Sequence, residues 1–252
     1  MPVKRALYKM PLTEHGVPAW PCPVCGSGYL SLKAGTFHYG ETRESRQASN
    51  RPDWHYPFDV RLRFSALLEC CNVLCAEIVT IAGHGYIALE DLSCYDSDSE
   101  TTYYHQEEVL KFFPNYINPS PPLINVPGNC DESVRNELAK AFIAFWGDLS
   151  STANHIHSAV ERLLDYLQEE QITSLHQRIL NLGKRDQELC QSLLAVKWLG
   201  NVGSHSDDIS RDDVCDALDI IEIVLYDLFV YHREKIKKLI EAINERKGSA
   251  RT

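Results

Sequence analysis

Cys22-Pro-Val-Cys25-Gly26, answered downstream by Cys71-Asn-Val-Leu-Cys75, decides how the first part of this chain folds. Two cysteines two residues apart and followed by glycine make a tight turn that aims both thiolates at one ion. A second pair completes a tetrahedral set. Val60-Arg-Leu-Arg-Phe64, just before that second pair, alternates strictly and reads as a strand half exposed to water. After it, Ile78, Val79 and Ile81 lead to Gly83-His84-Gly85, read as a turn, and on to Tyr86, Ile87 and Leu89. The expectation is a small antiparallel zinc ribbon over residues 1–92, with a structural zinc ion held by Cys22, Cys25, Cys71 and Cys75. Four thiolates leave no open position for a substrate, so the job of this metal is folding. Cys70 is the neighbouring alternative. Cys71 is preferred because a three-residue gap makes a comparable knuckle and leaves Cys70 facing the other side of the strand.

Outward from the ribbon, residues 40–56 are rich in Arg, Ser and Gln and read as a long loop between the knuckles. Residues 91–108 carry Asp91, Asp96, Asp98, Glu100, Glu107 and Glu108 and read as a solvated linker, since the glycine and spacing of a calcium loop are missing. Pro114, Pro119, Pro121, Pro122 and Pro127 make an extended strap that should lie across the helical part. Linker and strap together occupy 93–128.

From Asp131 the pattern turns helical, with Val134, Leu138, Ala141, Phe142 and Phe145 on one stripe. A second helix, from about Ser150 to Glu170, turns Ala153, Ile156, Val160, Leu163, Leu164 and Leu167 inward and sets His157, Glu161 and Asp165 in line on one edge. A shorter helix runs from about Ser174 to Leu182, and another carries Leu189, Leu193, Val196 and Leu199. A long last helix is capped by Ser210 and carries Val214, Leu218, Ile221, Leu225, Leu228 and Phe229, with Lys235, Lys237 and Lys238 near its end. The reading is α+β: the ribbon, then an up-and-down bundle of about five helices over 129–247.

The chain has 252 residues, 44% of them apolar, ample for two small cores. Its longest apolar run falls far short of the roughly 20 residues that cross a bilayer, and no block of signal-peptide length opens the chain, so a cytoplasmic protein without a membrane partner is expected. The nine cysteines then belong to a reducing compartment, with Cys94, Cys130, Cys190 and Cys215 read as buried thiols. The net charge of −10 is unevenly spread. Residues 1–65 hold nine Lys/Arg against five Asp/Glu, and the rest of the chain is strongly acidic. A nucleic-acid contact therefore belongs to the first part, where Lys33, Arg43, Arg46, Arg51, Arg61 and Arg63 sit among Phe37, Tyr39, Trp54 and Tyr56. Small zinc-bound hairpins are also basic merely to balance thiolate charge.

Lys197-Trp-Leu-Gly-Asn-Val-Gly-Ser-His205 sets an ammonium, an amide and an imidazole within nine residues, where the apolar pattern of a helix breaks. Two readings stand. The polar groups line a pocket at a helix C-terminus, where the dipole favours a protonated histidine, or Gly203 is a left-handed cap and the residues after it lead out.

The paired knuckles, the Pro-rich strap, Ala159-Val-Glu161 and the Lys197–His205 stretch together resemble the domain-of-unknown-function 4145 family over nearly the whole chain. That family is similar to the HEPN superfamily of helical nucleotide-binding and ribonuclease domains, often dimeric and often found in bacterial defence and toxin systems. The resemblance implies a site built on His205, Asn201, Lys197 and Glu161 and a homodimer through the helical part. HEPN ribonucleases typically use an Arg with four to six residues between it and the His. Here Gly200, Leu199 and Trp198 fill those positions, Lys197 is one residue too far, and His157 stands where relatives prefer Arg.

A phosphorane without its cation loses roughly 3–4 kcal/mol of stabilisation. The first expectation is therefore a non-catalytic module that binds nucleic acid, RNA above all, or a protein partner in a prokaryotic defence or toxin-type system. A metal-independent ribonuclease using His205 ranks next, and a purely structural or regulatory interaction protein third. The absence of a Gly-rich phosphate loop, a GxSxG elbow and an HExxH pair sets other enzyme classes aside.

Overall fold

The computed structural model describes residues 4–96, 101–168, 174–205, 209–230 and 233–245, without the side chains of 94–96, 101–104, 200–205, 233–235 and 237. It divides into two compact units, Lys4–Pro122 and Leu123 onward.

The first unit opens with α1 (Arg5–Lys9) and is built on five strands: β1 (Leu30–Leu32), β2 (His38–Glu41), β3 (Leu62–Cys70), β4 (Ile78–Asp96) and β5 (Thr101–Asn118). They form one antiparallel sheet in the order β1-β3-β4-β5, with β2 paired to β3 as well. β1 takes Leu68–Cys70 of β3, and β2 takes Leu62–Ser65. In the gap between them the Thr36 hydroxyl accepts the Leu67 N–H (3.1 Å) and donates to the Lys33 carbonyl (2.7 Å), so the interrupted ladder keeps its hydrogen bond.

β3 follows the strict alternation read from the sequence. Leu62, Phe64, Ala66, Leu68 and Cys70 are buried, and Arg61, Arg63 and Ser65 are exposed. The buried face gathers Val79, Ile81, Phe112 and Ile117, with Leu12 bridged to Phe112 through two backbone bonds of 2.9 Å. Trp20, fully buried, donates its indole N–H to the Leu7 carbonyl (2.8 Å). Phe37, Phe64 and Phe112 pack as one aromatic cluster with centroids 5.0–5.5 Å apart, a spacing at which tilted and edge contacts add to burial.

Three sequence expectations change here. Gly83-His84-Gly85 is no turn but lies mid-strand in β4. A Cβ on Gly83 would meet the Phe113 carbonyl and one on Gly85 the Phe112 ring, so these glycines make room for the neighbouring strand. The acidic stretch 91–108 is no linker either, because β4 and β5 pair through it as far as Asp96↔Thr101. Among the described residues no third strand accompanies them beyond Leu62↔Gly85, and Asp91–Ser93 and His105–Glu108 are exposed, so this two-stranded arm takes charged residues freely. Residues 40–56 hold α2 (Arg43–Ala48), capped by the Thr42 side chain, so they are not a plain loop.

The boundary at Pro122 divides the expected 93–128 segment. Pro114 belongs to β5, and only the stretch after Asn118 is a strap. In the second unit this strap binds the helices as expected. Leu123 and Ile124 are buried, the Asn125 N–H donates to the buried Glu222 carboxylate (2.8 Å), and Asn129 Nδ2 donates to the Phe229 carbonyl (2.8 Å).

The helices are α3 (Glu132–Ala144), α4 (Leu149–Tyr166), α5 (Leu175–Leu182), α6 (Gln187–His205), α7 (Arg211–Phe229) and α8 (Arg233–Glu245). The single long last helix of the sequence reading is thus two. α4 packs on α3, α6 and α7 around Leu138, Phe145, Ile156, Leu163, Leu164, Leu193 and Leu218. Asp131, Asp148 and Ser210 cap α3, α4 and α7, the last through a capping box with Asp213. Hydrogen bonds from Ser133, Ser151 and Ser210 hold Asp131, Asp148 and Asp213 below the usual aspartate value. Because the folded values are the lower ones, this stabilisation is present above the ordinary aspartate range and is lost as pH falls through the folded values.

Candidate functional site

The pleat of β3 decides which cysteines could hold a metal ion. Cys70 shares the buried side of the strand with Leu68, and Cys71, one residue on, is exposed. The four sulfurs that converge are those of Cys22, Cys25, Cys70 and Cys75, all within 4.8 Å of one another. Cys22 and Cys75 lie 3.8 Å apart, Cys25 and Cys70 3.7 Å. A tetrahedral ion with metal–sulfur bonds of about 2.3 Å requires sulfurs roughly 3.8 Å apart, so the set fits one ion. This corrects the ligand assignment, since Cys71 instead accepts the Tyr29 N–H at its sulfur (3.2 Å). The alternation Leu62, Phe64, Ala66, Leu68, Cys70 carried the signal.

The two knuckles are backbone copies. Gly26 N–H returns to the Cys22 carbonyl (3.0 Å) and Ala76 N–H to that of Asn72 (2.9 Å), with φ of +63° and +48° at Gly26 and Ala76. Val24 N–H meets the Cys22 sulfur (3.4 Å), and Leu74 N–H meets Asn72 Oδ1 (3.1 Å). Asn72 thus stands where the first cysteine of a paired knuckle would stand. The missing sulfur comes from Cys70, two residues earlier. N–H groups of Gly28 and Asn72 point at the sulfurs of Cys25 (3.3 Å) and Cys70 (3.4 Å) and favour their thiolate forms. Hydrogen bonds from the Ser27 side chain and Gly28 N–H bring the Cys25 thiol down to about 6, while burial pushes Cys70 up to about 12. A bound cation would override that difference and hold all four as thiolates. Gly28 is obligatory here, because a Cβ would sit 2.5 Å from the Cys70 sulfur.

Of the basic and aromatic residues read as a nucleic-acid contact, Arg51, Trp54, Arg61 and Arg63 line one cleft of about 560 Å³, together with Glu44 and Asp59. Arg61 is steadied by the carbonyls of Phe58 (2.7 Å) and Val60 (3.1 Å). Phe37 and Tyr39 belong to the aromatic cluster instead.

In the Lys197–His205 stretch the structure bears on the cap reading. α6 runs unbroken to His205, so Gly203 is not a left-handed cap. Lys197 Nζ lies 3.9 Å from the Trp198 ring centroid, a cation–π contact on a half-exposed indole, with His176 next to it at 5.9 Å. Glu161 pairs with His157 (3.7 Å) along α4, while Asp165 turns to the buried Arg178 of α5 (2.7 Å). Among the described residues no bond joins Glu161 to Lys197. The side chains of Asn201 and His205 lie outside the described residues, as does that of Cys94. Cys130, Cys190 and Cys215 are buried, as expected of packing thiols.

Residues 139–246 match the family model described as Domain of unknown function (DUF4145). Residues 10–117 match a separate one, Domain of unknown function (DUF8608). The resemblance read from the sequence therefore holds for the helical region, and the sheet unit carries its own match. No curated protein and no solved structure matches the chain. Among the described residues no helix is long and apolar enough to cross a membrane.

Proposed function

We propose, for a chain whose helical region belongs to the DUF4145 family, that it is a non-catalytic nucleic-acid-binding module of a prokaryotic defence or toxin-type system: a zinc ribbon joined to a HEPN-like bundle. The observation that carries this reading is the cleft where Arg51, Arg61 and Arg63 meet Trp54. Guanidinium groups suit phosphate, an indole suits a base, and a volume of this size suits a nucleotide unit. In this reading zinc is structural, held by Cys22, Cys25, Cys70 and Cys75. It supplies folding energy and takes no part in chemistry.

The helical site on Lys197, Glu161, Asn201 and His205 is not the catalytic centre in this reading. Its one cation among those four residues lies on Trp198, and no arginine stands with four to six residues between it and His205. Fluorescence anisotropy of the full zinc-loaded chain with labelled RNA should show saturable, salt-sensitive binding, and the RNA should be recovered intact in chelator. Cleavage that persists in chelator and disappears in His205→Ala would replace this reading with that of a metal-independent ribonuclease. No RNA binding at any salt would leave the protein-partner reading.

The bundle is also proposed to pair with a second copy. Ile236, Leu239, Ile240 and Ile243 of α8 recur at helical spacing and are all exposed, as are Ile223, Tyr226 and Val230 along α7. One core does not cover these stripes, and a two-fold interface would. Light scattering at tens of micromolar should give a dimer for the wild type and a monomer for Leu239→Glu/Ile240→Glu. A monomeric wild type would refute it.

A further inference from the structure

The sheet of the first unit has a second face, opposite the aromatic core, that none of the preceding packing uses. Arg63 of β3 is in register with His84 of β4, and His84 with Phe113 of β5. One row along, Tyr86 is in register with Lys111, and Arg61 precedes the Leu62↔Gly85 pair. In the other direction lie His38, Ser65, Ala82 and Tyr116. Strand alternation puts all of these on one face. Phe113 stands between His84 and Tyr86, near-parallel to both, with centroids 5.9 Å away on each side and interplanar angles of 21° and 13°. Phe113 is half-buried between rings that are open to water. Tyr86 is 37% exposed and Tyr116 46% exposed, whereas Phe64 and Phe112 on the other face are at 4% or less. An array of half-exposed rings next to arginines is costly for a sheet that merely has to fold, and it fits a ligand with flat faces and a charged backbone.

We infer that this face binds single-stranded nucleic acid, with bases stacked on Tyr86, Phe113 and Tyr116 and the phosphates drawn along Arg63, Arg61 and the Arg51 side of the cleft. The inference rests on the reading of the chain as a nucleic-acid-binding module and says where and in which form the nucleic acid is held. Single strands are selected because rings fixed in the middle of a sheet reach only bases free of a duplex stack. Arg63 lines the cleft and also stands on this face, which makes the two one continuous surface.

The acidic groups set its limits. Glu44, Asp53 and Asp59 share the cleft with the arginines, so the track is of mixed charge, its salt dependence is shallow, and the carboxylates are placed to accept base amino groups. Lys111 is paired with Glu90 (2.6 Å) and is not counted among the phosphate contacts. Past it the arm carries Glu90, Asp91, Glu107 and Glu108, which repel phosphates and turn the strand across the sheet rather than out along the arm.

The test is anisotropy of the full zinc-loaded chain with a labelled mixed-sequence 12-mer, as single-stranded RNA, single-stranded DNA and duplex. The expected order is single strands above duplex. Tyr86→Ala and Tyr116→Ala, both at exposed positions, should each weaken binding about five- to a hundredfold with zinc content and circular dichroism unchanged. Arg63→Ala should lower the slope of log affinity against log salt by about one. Photocrosslinking followed by peptide mass spectrometry, which needs no variant, should place the adduct on Tyr86, Phe113 or Tyr116. Wild-type binding that the tyrosine variants leave untouched, a preference for duplex, or crosslinks confined to the helical unit would overturn the inference while leaving the nucleic-acid reading in place. A wild type that binds none of the three oligonucleotides would overturn both.

Discussion

Cys70→Ser is expected to release the bound ion and unfold Lys4–Pro122, while Cys71→Ser keeps both metal and fold. A closed four-thiolate zinc site contributes on the order of 10 kcal/mol to local folding. Cys70 supplies one corner of such a site, 3.7 Å from Cys25, and among the described residues no other thiol is placed to replace it, since Cys71 is exposed and turned to Tyr29. A serine at 71 retains an acceptor for that N–H, so its effect should stay within about 0.5 kcal/mol. Zinc quantitation by mass spectrometry, beside calorimetry that resolves two transitions, measures this directly. Cys70→Ser should lose the metal and the transition of the sheet unit, and the helical unit should melt as before. Chelation of the wild type should give the same trace. Metal retained in Cys70→Ser and lost in Cys71→Ser would reverse the ligand assignment.

Phe112→Ala should destabilise the sheet unit by about 3–5 kcal/mol. Phe112 is fully buried, touches the rings of Phe37, Tyr39 and Phe64 at 5.0–5.4 Å, and exchanges backbone bonds with Leu12. The glycine opposite it, Gly85, leaves the space the ring fills. Gly85→Ala presses on the same contact from the other side and should cost about 1–3 kcal/mol by overpacking. Filling that space partly mends the cavity, so Gly85→Ala/Phe112→Ala should cost less than the sum of the two. Urea unfolding of the three variants tests it, and strict additivity would mean that ring and glycine do not share one space.

What was legible in the sequence was local. Asp131, Ser174 and Ser210 announce helices because a cap is a bond between near neighbours, and β3 is legible because one of its faces is buried and the other wet. The arm was not. Its described side chains at 91–93 and 105–108 are all exposed, so nothing there forces an alternation, and their charges suit a strand as well as a linker. Gly83 and Gly85 punctuate like a turn, and only the neighbouring strand shows that they are absences made for Phe112 and the Phe113 backbone. The ligand set turns on parity. Spacing favours Cys71, but carrying the alternation Leu62, Phe64, Ala66, Leu68 one step further puts Cys70 on the buried side, and that parity decides which of two adjacent cysteines faces the first knuckle. In the helical unit, Lys197 reads as a free cation until Trp198 is seen beneath it.

The substitution of Asn72 for a knuckle cysteine has a bearing on the order of assembly. A paired knuckle can hold an ion by two sulfurs as soon as its own turn closes, and Cys22 and Cys25 form such a turn. The second knuckle cannot, because one of its sulfurs is the last residue of β3 and reaches the ion only when that strand is paired. Cys25 and Cys70 are separated by 45 residues, a closure that costs about 3 kcal/mol in chain entropy beyond a constant. β3, β4 and β5 are joined in sequence and pair as neighbours. Their pairing brings Cys70 to the first knuckle, so an ion held by all four sulfurs would tie the N-terminal segment to the sheet and couple the folding of the whole unit to metal availability.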